Sequence, residues 1–173
     1  PRDIYAAGKR YVEIAGGSMH EAGELQFISL RIAPVIGPGA ANTASPWRSE
    51  IFEKTGYPEQ TDIHFPFTKD ELFPFVYVDD VASMLAGLSL ADAPEHTVYN
   101  TPAETWIMEE LAGYIRSFDG TIQFSFGSSS VSGFPRFVNG ERYENEFGFT
   151  PQSLKIRLRQ AYDRNREDHQ TKL

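Results

Sequence analysis

The sequence predicts an α/β fold in a single unit. Short apolar runs at 25–32, 72–78 and 97–100, bounded by Gly, Pro or polar residues, read as buried strands. Before, between and after them lie segments with apolar residues at helical spacing, at 3–16, 79–90 and 151–165. A chain of 173 residues that is 40% hydrophobic and 13% aromatic can bury a sizeable core, and its composition is not that of a disordered protein.

Taken in order, residues 3–16 hold good helix formers, with Ile4, Ala7, Tyr11, Val12 and Ala15 on one apolar stripe. Gly16-Gly17 is expected to end or kink that helix, and the polar stretch 18–24 to finish the region. The apolar run 25–32 leads into a Pro- and Gly-rich turn at 34–39. After the small polar residues 40–47, a short helix is expected over 47–55 and a turn at Gly56-Tyr57-Pro58. The alternation of Ile63, Phe65 and Phe67 gives a strand over 61–67, with His64 on its other face. After the strand 72–78, Asp79 or Asp80 is expected to cap a helix to about Leu90, because a carboxylate there satisfies free backbone N–H groups. Thr105 and Glu109 read as the cap of the next helix, ahead of Ile107, Leu111 and Ile115. Residues 121–126 suit a strand, 127–133 form a serine-rich connection, and 136–143 show no clear pattern. The last helix, 151–165, sets Leu154, Leu158, Ala161 and Tyr162 on one face, and the polar tail 166–173 is expected to fray.

The formal charge of −8, with no basic cluster, argues against nucleic acid or acidic membrane surfaces as partners. There is no cysteine, so disulfides and thiolate metal sites are excluded and a reducing, cytoplasmic setting is compatible. No apolar run approaches the length of a membrane span. His64 has no second His or carboxylate at ligand spacing nearby, so no metal site is assigned.

The chemistry points to Tyr5 and Lys9. Four residues apart on a helix, they project from one face, one turn apart. An ammonium a few ångströms from a phenol favours the phenolate and fits such a pair for proton exchange with a substrate hydroxyl or carbonyl. Alone, this spacing is equally that of a solvated helix face. Its company is more specific: Leu30-Arg31-Ile32-Ala33-Pro34-Val35-Ile36-Gly37-Pro38-Gly39, then Phe75-Val76-Tyr77-Val78-Asp79-Asp80-Val81-Ala82, then Val98-Tyr99-Asn100-Thr101, and finally Phe147-Gly148-Phe149-Thr150-Pro151.

In this order and spacing, from Tyr5 to about Tyr162, the chain resembles the C-terminal half of the extended short-chain dehydrogenase/reductases, the NAD-dependent epimerase/dehydratase family. The resemblance implies the last parallel strands and helices of a Rossmann-type fold plus a small α/β substrate-binding region. Residues 1–39 would be the catalytic helix and the end of the sheet, 40–165 the substrate-binding region and 166–173 the tail. It implies Tyr5 as the acid/base and Lys9 as the residue that holds the nicotinamide ribose and assists Tyr5. It implies Ala33-Pro34-Val35 as the loop at the nicotinamide end of NAD or NADP, and Asp80 as a structural acid. Pro34, an arginine for which Arg142 is the candidate, and His64 are the expected substrate contacts, and a homodimer through the Tyr5–Lys9 helix is expected.

The departures bear on function. The family's glycine-rich turn, which brings backbone close to the pyrophosphate at a helix N-terminus, is not found: Gly37-Pro38-Gly39 lacks the later glycine, and 127–133 is serine-rich. The catalytic Ser or Thr that precedes the tyrosine is also missing, so the chain is expected to be a fragment with little dehydrogenase activity alone. Pro34 and Ile36 stand where many nucleotide-sugar members carry Asn and Tyr, which leaves room for other small carbonyls or alcohols. The alternative is a non-catalytic remnant that binds a small molecule or a partner protein.

Overall fold

Asp3 opens the first helix: its Oδ1 accepts the Ala6 N–H at 2.7 Å. The computed structural model describes residues 3–171 except 41–43, 60–61, 132 and 134. Helix α1 spans Ile4–Glu21 and runs straight through Gly16-Gly17, where the sequence suggests a stop. Gly16 is instead a contact point: a Cβ there would lie 2.2 Å from Cε2 of Phe27, so only glycine lets the helix lie on that ring. The stop comes at Gly23, in the left-handed region at φ 73°. Its N–H and that of Glu24 return to the carbonyls of His20 and Met19, a Schellman closure. The expected apolar stripe of α1 is uncovered: Ile4 is 92% exposed, Tyr11 and Val12 are also exposed, and Gly16 is the one buried residue of the helix.

Two parallel pairings lead from α1 to the centre of the molecule. Strand β1 (Ser29–Arg31), shorter than the apolar run suggests, pairs with β5 (Val98–Asn100), matching Leu30 to Tyr99. Strand β2 (Val35–Ile36), inside the expected turn, pairs with β4 (Leu72–Tyr77). On its other side β4 pairs antiparallel with β6 (Glu104–Ile107). Thr105 is therefore a strand residue rather than a helix cap, and helix α4 begins at Met108 and runs to Arg116. Strand β3 (Asp62–Phe67) pairs in parallel with β7 (Gln123–Ser129), which takes up the first part of the serine-rich connection.

Helix α2 (Trp47–Glu53), the aromatic faces of β3 and β4, and α4 meet helix α6 (Leu154–Thr171) in one core centred on Trp47, Phe52 and Phe65. A second core joins Ala33, Val76 and Tyr99 to α3 (Val78–Leu90) and α5 (Glu141–Phe147), the latter in the stretch that shows no pattern in sequence. Helix α6 does not fray at Arg166; it continues to Thr171, and residues 172–173 lie outside those described. One tie is Asn165, whose buried amide donates to the carbonyls of Phe52 and Thr55 at 2.8 and 2.7 Å and closes the end of α2.

Neither aspartate caps α3. The cap position is Tyr77, and Asp79 and Asp80 lie in the first turn. Asp80 is buried and accepts a 2.8 Å hydrogen bond from Nη2 of Arg157, which also stacks on Tyr77 at 4.4 Å. Burial pushes its carboxyl above the ordinary range despite the arginine. Asp80 thus links α3 to α6, a structural acid as expected, by a contact that sequence spacing does not reveal.

Candidate functional site

Tyr5 and Lys9 share a face of α1, as the spacing predicts. The ammonium of Lys9 lies 5.5 Å from the centroid of the Tyr5 ring, and Tyr5 is 75% exposed. Both open onto a groove of about 540 Å³ between α1 and the segment 27–32.

Glu13 and Arg31 fix that groove, and sequence reasoning passes over both as a pair. Glu13 lies one turn beyond Lys9 on the same stripe. Its two carboxylate oxygens accept from Nε and Nη2 of Arg31, each at 2.7 Å, while Arg10 adds a 3.0 Å bond and the Ser29 hydroxyl one of 3.3 Å. This two-pronged geometry suits a guanidinium and a carboxylate, and it ties α1 to the end of β1. The hydrogen-bonded Arg31 holds the Glu13 carboxyl at about 2, well below its ordinary 4.5. The direction fixes the pH dependence: the stabilisation is complete above 4.5 and disappears as pH falls through about 2. Arg31 is half exposed, so solvent screening leaves the pair about 1 kcal/mol. Denaturant unfolding of Glu13→Gln beside the parent is expected to show that deficit at neutral pH and a vanishing one in acid. A gap that stays constant down to about pH 2 would show that the pair does not stabilise through this ionisation.

Beyond Arg31 the chain passes into Ala33 and Pro34. The Ala33 N–H donates to Oγ1 of the buried Thr101 at 2.9 Å, and the Thr101 N–H returns to the Arg31 carbonyl at 3.0 Å. Ala33 and Pro34 border a second groove, of about 400 Å³, whose lining shares Arg31 and Ile32 with the first. The fold therefore brings Tyr5, Lys9, Ala33 and Pro34 to two adjoining clefts. Val35 turns inward into β2, where its carbonyl accepts from Arg48 at 3.4 Å.

The other two candidates are not brought there. His64 stands exposed on β3, with Nδ1 2.9 Å from the Ser125 hydroxyl on β7. Arg142, on α5, reaches the carbonyl of Val98 at 3.4 Å, at the start of β5, whereas the second groove opens at its end, Asn100. Neither lines either groove. Among the described residues, Glu95, His96 and Glu146 have the spacing of metal ligands. The Glu146 carboxylate already accepts the Tyr99 hydroxyl at 2.6 Å and the Glu95 N–H at 2.7 Å, and the buried Tyr99 phenol is pushed up to about 12 by desolvation and that bond.

The fit to a nicotinamide cofactor is partial. A phenol and an ammonium on an open cleft match ribose hydroxyls and a reacting oxygen. The turn at Gly37 offers no cradle for a pyrophosphate, because a Cβ there would lie 2.6 Å from Cγ1 of Val78 and the space is filled.

Comparison with known proteins agrees with the fold. The structure is similar to an L-threonine dehydrogenase from Phytophthora infestans, with TM-score 0.81 and 19% identity over 100% of this chain and 57% of that one. It is similar to an L-threonine 3-dehydrogenase from Trypanosoma brucei, with TM-score 0.78 and 18% identity over 98% and 56%. A UDP-glucuronic acid 4-epimerase from Bacillus cereus, solved with UDP-glucuronic acid and NAD, gives TM-score 0.71 and 18% identity over 96% and 54%. The chain thus spans a little over half the length of these proteins. No curated protein matches the sequence. The model of the NAD-dependent epimerase/dehydratase family matches residues 1–101, and the chain belongs to that family.

Proposed function

We propose that this chain is the proton-transfer and substrate-binding portion of an NAD(P)-dependent oxidoreductase acting on a small hydroxyl or carbonyl compound. The observation that carries this reading is the face shared by Tyr5 and Lys9, open to a cleft that continues to Ala33 and Pro34. Tyr5 Oη gives a proton to, or takes one from, the substrate oxygen at the carbon that changes oxidation state. Lys9 supplies the positive charge beside it and donors for the ribose hydroxyls, and Ala33-Pro34-Val35 meets the nicotinamide end. Bound NAD(H) or NADP(H) supplies the hydride exchange. Glu13 and Arg31 hold α1 so that Tyr5 faces the cleft. In the intact protein, a region corresponding to the rest of the structural neighbours would bind the adenine and pyrophosphate. Residues 1–39 carry the catalytic helix in this reading, and 40–165 shape the substrate side.

A second reading, a non-catalytic binding module, is favoured by the uncovered apolar residues of α1, Ile4, Tyr11 and Ile14. In the first reading the same residues join a second copy in a homodimer.

Calorimetric titration of the 173-residue chain with NAD(H) and NADP(H) tests the assignment of the cofactor's ends. Binding no tighter than about 1 mM is expected, since in this reading the chain supplies residues for the nicotinamide end alone. A dissociation constant of about 10 μM or below would show a complete cofactor site in this chain and overturn that assignment.

A further inference from the structure

The second groove is chemically unlike the surface around it. Both parallel strands β1 and β5 run out at it, through Arg31 and Asn100, and the crevice beyond strand ends is where open α/β sheets take ligands. Its volume, about 400 Å³, is near the small end of the usual range for small-molecule sites. Its walls are apolar: Ile32, Ala33 and Pro34 on one side, Pro135, Phe137 and Val138 on the other. Phe137 is 70% exposed, in a strap held by the Asn100 amide on the Asn139 carbonyl at 2.9 Å and the Thr105 hydroxyl on the Arg136 carbonyl at 3.2 Å.

The charges that line it offer little to a phosphorylated ligand. Arg31 is the one cationic side chain among the described residues lining this groove, and its Nε and Nη2 are both taken by Glu13. Across Phe137 the neighbouring cleft carries Glu104, Glu141 and Glu144. The start of α5 offers an anion nothing either: its first turn holds Glu141 and Glu144, and Asn139 Oδ1 already accepts the Glu141 N–H at 2.8 Å. Among the described residues that line the groove, a diphosphate would find one guanidinium, already paired with Glu13; Arg136, beside Phe137, is not one of them, and three carboxylates stand in the neighbouring cleft.

We propose that this groove holds the apolar body of a small, uncharged hydroxyl or carbonyl compound rather than a nucleoside-diphosphate sugar, with Phe137 as its specificity-determining wall. The proposal rests on the acid/base reading of Tyr5 only for where the reacting oxygen lies. Binding is measured by calorimetry or saturation-transfer NMR on the protein, with and without NAD(H), using 4-phenyl-2-butanone and UDP-glucose as probes. The ketone is expected to bind at least about tenfold tighter than UDP-glucose, and Phe137→Ala to weaken the ketone about tenfold or more, with Phe137→Tyr retaining it. Phe137 is exposed, so both variants are expected to unfold at the parent's midpoint. UDP-glucose binding as tightly as the ketone, no detectable ketone binding, or a Phe137→Ala variant that binds it as the parent does would each overturn the proposal. Tyr5 does not line this groove, so Tyr5→Phe is expected to weaken the ketone less than Phe137→Ala does, by no more than the one hydrogen bond it removes. A Tyr5→Phe variant with full turnover would remove the acid/base reading while leaving this inference standing.

Discussion

Tyr5→Phe is expected to lower turnover by about 10²–10⁴-fold in an enzyme that contains this chain and its cofactor-binding region, the range that a positioned acid/base contributes. The substitution deletes one oxygen. The ring stays in place, the ammonium of Lys9 still lies over it, and Tyr5 is 75% exposed on the helix, so no core contact is lost. The thermal midpoint is therefore expected to move by no more than about 2 °C, as for a surface change. This separation of activity from stability is what makes the experiment informative. Steady-state kinetics in both directions of the reaction, with circular dichroism melting of the same samples, read the two effects. Turnover within about threefold of the parent would mean that Tyr5 and Lys9 are ordinary residues of a solvated helix face and would leave the binding-module reading in possession.

What the sequence discloses about this site follows the range of the interactions that build it. Tyr5 and Lys9 meet because α-helical periodicity alone brings residues four apart together, and β4, α2 and the buried face of α6 are legible for the same local reason. Glu13 lies on that stripe too, but its partner is Arg31, 18 residues on, and no pattern within a helix names a residue on the following strand. Asp80 and Arg157 are 77 residues apart, so Asp80 reads as a cap when its bond is tertiary. Strand β6 is hidden because Glu104–Ile107 joins α4 directly and pairs with residues 72–75, about thirty positions earlier, which leaves Thr105 looking like a helix start. Gly16-Gly17 reads as a stop, and only the ring of Phe27 shows why glycine is needed mid-helix. Phe137 lies in a stretch without period; its place beside Pro34 is set by hydrogen bonds to β5 and β6, not by any spacing of its own.

The largest loss of stability is expected at Trp47→Ala, about 3–5 kcal/mol, the usual cost of truncating a buried aromatic. Trp47 is 2% exposed, and its ring meets Phe65, Phe67, Phe73 and Phe75 edge-on, with centroids 5.0 to 6.3 Å apart. These four come from β3 and β4, so the indole is the body around which α2 locks two sheets together. An alanine would leave a void walled by rigid aromatic faces, which cannot collapse into it as flexible side chains would. Trp47→Phe separates packing from polarity. The indole Nε1–H is buried without a hydrogen-bond acceptor among the described residues, so phenylalanine removes an unsatisfied donor while keeping an aromatic ring. It is expected to cost less than half as much as alanine. Urea unfolding followed by the fluorescence of Trp106, the tryptophan that remains, measures both variants against the parent by circular dichroism. Equal losses for the two substitutions would show that the indole's full shape, and not aromatic filling in general, holds the sheets. A loss below about 1 kcal/mol for alanine would place the weight of this core elsewhere, in the Asn165 tie between α2 and α6.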